Sequence, residues 1–130
     1  MGNMFIENKS RFNLDETVSK LIEAIGKHEW KLIHTHDLQQ IMMKNGKEVL
    51  PVKVMEICAP KHAYKLLSSD NERLYSNMMP CRLSVFERSD GITYVSRMNT
   101  GQFASSLGGV VADVMTESFH EAEQIIAHVI

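Results

Sequence analysis

The chain has 130 residues and a mass of 14.8 kDa; it is 44% hydrophobic and 23% charged, with a formal net charge of -2. That is the size of one domain able to bury a core without metals or disulfides, and the composition excludes a disordered, collagen-like or coiled-coil chain. The near-neutral charge and the lack of a basic cluster argue against nucleic acid as a partner, and no apolar run is long enough to span a membrane.

Residues 1–11 read as a loose polar N-terminal arm, ahead of a single α+β domain over 12–130. The opening Met1-Gly2-Asn3-Met4-Phe5-Ile6 lacks the basic and apolar segments of a secretory signal, and no Ser or Thr stands four residues past Gly2, so neither a leader nor myristoylation is expected. Two cysteines, Cys58 and Cys81, are too few for a disulfide scaffold, so reduced thiols and a cytoplasmic location are expected.

Asn13-Leu14-Asp15-Glu16 forms a capping box, and Val18, Leu21, Ile22 and Ile25 follow at helical spacing, predicting a helix over 14–27. Glu16 with Lys20, and Glu23 with Lys27, stand four apart on its exposed side. Residues 30–36 alternate as a strand, with Trp30, Leu32, His34 and His36 expected on one face and Lys31, Ile33 and Thr35 on the other. Asp37 and Gln40 cap a short helix that stops at Asn45-Gly46. Val52 to Cys58 is strand-like, and Pro60 suits the first position of a helix running to the break at residues 68–71. Asp90-Gly91 between the alternating runs 80–87 and 92–98 is a hairpin signal. After Gly108-Gly109, an apolar stripe from Val111 to Val129 marks an amphipathic final helix. The expected architecture is α+β: a four-stranded, mainly antiparallel sheet with helices packed on one face. No Gly-rich phosphate loop follows a strand, and no cofactor is implied.

Several stretches resemble the bacterial and archaeal family called domain of unknown function 302. They are residues 14–21, Ile57-Cys58-Ala59-Pro60-Lys61-His62-Ala63, residues 79–87 and Tyr94-Val95-Ser96-Arg97-Met98. The cysteine-x-proline turn and the Pro80-Cys81 strand start are the most specific of these; the chain departs at Asn99-Thr100-Gly101, where relatives tend to carry an acidic residue and proline. The resemblance implies an α+β fold and a homodimer, and carries no catalytic residues with it.

Cys58 and Cys81 are the sharpest candidates for chemistry. Cys58 precedes a helix start, where partial positive charge would lower a thiol pKa, and Cys81 opens a strand. If their strands are neighbours, the sulfurs could meet at one end of the sheet as a redox pair, a nucleophile with a helper or a soft-metal site. The plainer reading, two small buried hydrophobes, is favoured. Glu56 interrupts an apolar strand beside Cys58, and the inward and solvated readings weigh evenly. Arg82 and Arg97 could form an anion clamp, although pairing with surface acids such as Glu87 is favoured. His34-x-His36 has a spacing used by some metal sites but lacks a third ligand, so a surface role is favoured and no metal site is assigned. His28, His62, His120 and His128 are expected to face solvent. The nine methionines, including Met42, Met43, Met78, Met79 and Met115, are read as core filler rather than copper ligands.

The expectation is a non-enzymatic or regulatory domain, a homodimer as the resemblance implies, with a small-ligand site at Cys58, Cys81, Glu56, Pro60 and Arg82. The alternatives are a thiol-dependent enzyme or soft-metal protein using both cysteines, and an interaction module using the final helix.

Overall fold

A computed structural model describes residues 4–130. Met1-Gly2-Asn3, where the leader and myristoylation expectations begin, lies outside the described residues. The elements in chain order are β1 (Phe5–Lys9), α1 (Leu14–Lys27), β2 (Lys31–Asp37), α2 (Leu38–Lys44), β3 (Val52–Cys58), α3 (Pro60–Leu67), β4 (Cys81–Glu87), β5 (Thr93–Met98), α4 (Thr100–Phe103) and α5 (Gly109–Ile126). Short 3-10 turns cover Glu72–Met78 and Ala104–Leu107.

All five strands form one antiparallel sheet in the order β1-β5-β4-β3-β2. The sheet therefore has five strands rather than four, because the expected loose arm contains β1. Its segment Phe5-Ile6-Glu7-Asn8-Lys9 is too short and too polar to announce a strand, but β5 offers it a free edge and Phe5 to Lys9 pair with Met98 to Tyr94. Arg88 then forks onto Glu7 with both terminal nitrogens and lies over the Phe86 and Tyr94 rings, fixing β1 to the hairpin.

The local signals at helix starts act as their chemistry requires. Asn13 Oδ1 accepts from the Glu16 amide at 2.9 Å and Asp37 Oδ1 from the Gln40 amide at 3.0 Å, each satisfying a first-turn donor. Glu23 and Lys27 pair at 3.3 Å, whereas Lys20 instead sits over the Phe12 ring. At the hairpin, Gly91 takes φ 79° and Asp90 Oδ1 accepts from the Ile92 amide at 2.8 Å.

One face of the sheet is covered. Met55, Ile57, Leu83, Val85 and Val95 pack against Leu21 and Ile25 of α1 and Ile125 and Ile126 of α5, with Trp30 and Val129 closing the ends. A second, smaller core joins α3 to the start of α5 through Leu66, Ala104, Val111, Val114 and Met115, with Tyr75, Met78 and Met79 packed against it. Met78, Met79 and Met115 thus fill core space as expected. The α2 methionines do not: this seven-residue helix follows an edge strand and buries no residue, and Met43 is exposed. No helix among the described residues is long and apolar enough to cross a membrane.

Candidate functional site

The main core covers one face of the sheet, and strand register decides which candidates belong instead to the opposite, more open face. Side chains alternate across a strand, and residues paired across an antiparallel ladder share a face. Ile57 pairs with Cys81 and Met55 with Leu83, so these four belong to the covered face. Glu56 pairs with Arg82, so Glu56, Arg82 and, two residues on, Cys58 belong to the open one.

The two cysteines thus stand on neighbouring strands at the same end of the sheet but point to opposite faces. Cys81 packs against the main core, and burial pushes its thiol up, with the nearby Cys58 adding to the shift. Burial also pushes the Cys58 thiol up. The lowered pKa expected from the helix start is absent, because Cys58 precedes the helix by two residues and desolvation of its thiolate dominates. Both thiols are free.

In β2, the alternation expected for residues 30–36 breaks. The ladder slips between Leu32, opposite Ile57, and His34, opposite Glu56, so Ile33 is an extra bulged residue. Trp30 and Leu32 keep the core face, whereas His34 and His36 are turned to the open face, the reverse of a regular strand. The two rings meet edge to face with centres 4.4 Å apart. His36 Nε2 lies 3.1 Å from Glu56 Oε1, and Arg82 Nε lies 3.8 Å from Glu56 Oε2. Glu56 is thereby a partnered acid on the open face, neither buried alone nor simply solvated. Pro60 stands exposed at the first position of α3, just past Cys58.

Arg82 and Arg97 form no clamp, since Arg97 pairs with Leu83 on the covered face. Its partner is Glu123 rather than Glu87: Nε and Nη2 donate to the Glu123 carboxylate at 2.8 and 2.7 Å, and Nη1 donates to Asn8 at 2.6 Å. The pair fixes α5 across β5 and β1.

His62, expected at the surface, is 5% exposed. Its Nε2 donates to Glu121 at 2.5 Å, and Glu121 also accepts from Trp30 Nε1 at 3.0 Å. His62 Nδ1 is buried without a hydrogen bond, 3.6 Å from Glu117. Burial pushes the Glu121 carboxyl up, but hydrogen bonds from Trp30 and His62 and the charges of His62 and Lys61 outweigh it, leaving Glu121 below the usual range. A histidine oriented by a carboxylate can serve as a base, but here its free nitrogen is sealed between α3 and α5, where the network locks the helices together. The only sequence signal was position: His62 and Leu66 share the inner side of α3.

Two shallow hollows, of about 380 and 470 Å³, open at the other end of the sheet, around Pro51–Lys53 and Lys47–Val49. Neither is lined by Cys58, Cys81, Glu56, Pro60 or Arg82. Among the described residues, no group of three or more His, Cys, Asp and Glu side chains is arranged to hold a metal.

No curated protein matches the chain. Among solved structures, it is similar to the crystal structure of an uncharacterized conserved protein DUF302 from Bacillus stearothermophilus: 14% identity over 98% of each chain, TM-score 0.86. At that identity the likeness shows the fold alone. The family model described as "Domain of unknown function DUF302" matches residues 6–130, and the chain belongs to that family.

Proposed function

We propose that the chain works as a non-enzymatic homodimer in the cytoplasm, binding a small anion on the open face of its sheet. The observation that carries this reading is the polar strip of His36, Glu56 and Arg82 on the face turned away from the main core. The Arg82 side chain is 66% exposed and holds Glu56 only at 3.8 Å, which leaves most of its donors directed at solvent and suited to a carboxylate or phosphate. Cys58 and Pro60 flank the strip, while Cys81 takes no part because it faces the core. A dimer contact can form beside the strip, about a two-fold axis that sets the same patch of each copy against itself. Exposed Phe5 and Met98 on the same face add apolar area to such a contact.

Sedimentation velocity tests the assembly: the expected species has twice the 14.8 kDa chain mass, and a monomer at all concentrations rejects it. Thermal melts with phosphate and a panel of small carboxylates test the ligand. The expected rise in Tm is lost in Arg82→Ala; an equal rise in the variant rejects this site. A thiol enzyme or soft-metal protein is the weaker reading, since both thiols are pushed up and point apart. The interaction-module reading loses its surface, because the α5 stripe is spent inside the chain's own cores.

A further inference from the structure

The fold brings together two histidines separated by 100 positions. His28 caps the C-terminal end of α1, and His128 lies in the turn just past the end of α5. Their Nε2 atoms stand 3.4 Å apart at the surface, with the rings 78° from coplanar. That separation is long for a hydrogen bond, whose donor and acceptor usually stand about 2.7–3.2 Å apart. It suits two nitrogens sharing one ion: ligands about 2.05 Å from a tetrahedral Zn2+ stand roughly 3.3 Å from each other.

The electrostatic surroundings support a cation there. Helices of 14 and 18 residues both end at the pair, each contributing partial negative charge from its last carbonyls. Lys27, next to His28 in the chain, has its charge paired with Glu23 at 3.3 Å, while Arg11 donates to the His128 carbonyl at 3.1 Å.

We propose that His28 and His128 form a two-histidine clamp for a divalent transition metal of the imidazole-preferring class, with Zn2+ as the representative ion. Water completes its coordination, since among the described residues no third protein ligand stands in the cluster. The ion staples the end of α1 to the turn after α5, closing the helical layer at one end.

The test is calorimetric titration of ZnCl2 into the tag-free chain at pH 7.5, alongside His28→Gln, His128→Gln and the double variant His34→Gln/His36→Gln. Binding of one Zn2+ per chain in the micromolar range is expected, weakened at least about tenfold in either clamp variant and unchanged in the double variant. A Tm rise with Zn2+ in the parent and in the double variant, absent from the clamp variants, gives a second readout. No binding below millimolar Zn2+, or binding that the clamp variants leave intact, overturns the proposal. Circular dichroism of each variant without metal separates loss of the clamp from loss of the fold.

Discussion

Glu121 shows how one carboxylate ties α5 to α3 and to the connection before β2: it accepts from Trp30 and His62 and lies 3.6 Å from Lys61. Its folded pKa is lowered, so its contribution to stability is present above the unfolded carboxyl value of about 4.3 and is lost as pH falls through the folded value. Acid titration of the melting temperature should therefore fall more gently below pH 4.5 in Glu121→Gln than in the parent chain. At neutral pH that variant should lose about 1–3 kcal/mol in urea unfolding, because Trp30 and His62 keep poorer partners. Gly101 tests packing at the same scale. A Cβ there would lie 2.7 Å from the Phe119 ring, so Gly101→Ala should cost about 1–3 kcal/mol, read as a lower denaturant midpoint. The thiols give a third check. Both being pushed up, iodoacetamide at pH 7.5 should label Cys58 and Cys81 more slowly than free cysteine, and faster labelling at Cys58 would revive the thiol-enzyme reading.

Among the elements, the bulge at Ile33 has the largest consequence. One extra residue turns His34 and His36 to the open face beside Glu56, where a regular ladder would have aimed them at the core. Because Leu32 and His34 already oppose consecutive β3 residues, deleting Ile33 should regularise β2 without shifting its register. Proton–nitrogen spectra should stay folded, with β3 little changed. A collapsed spectrum would mean that the bulge is required for the strand's twist. Strand β1 tests the opposite edge. Removing residues 1–9 strips Asn8 from Arg97 and uncovers the ladder of β5, so light scattering should show aggregation of an otherwise foldable chain.

For the whole molecule, the arrangement is a sheet covered on one side and open on the other, with helices α1 and α5 carrying the main core. Much of that was legible in the residues. The caps at Asn13 and Asp37, the helical spacing of Val18, Leu21 and Ile25, the Asp90-Gly91 turn and the α5 stripe are local patterns, and local patterns suffice where one short segment decides its own conformation. The features that failed depend on what lies alongside: β1 needed the free edge of β5, the face of His34 needed the register against β3, and the burial of His62 needed α5 packed on α3. By itself, the sequence determined the α+β class and the order of most of its elements, because turn chemistry and hydrophobic period act within a few residues. Only the tertiary structure decided that the two thiols point apart and that His36, Glu56 and Arg82 share a face. It alone also brought His28 to His128, because pleat, register and helix packing join positions that no spacing along the chain connects.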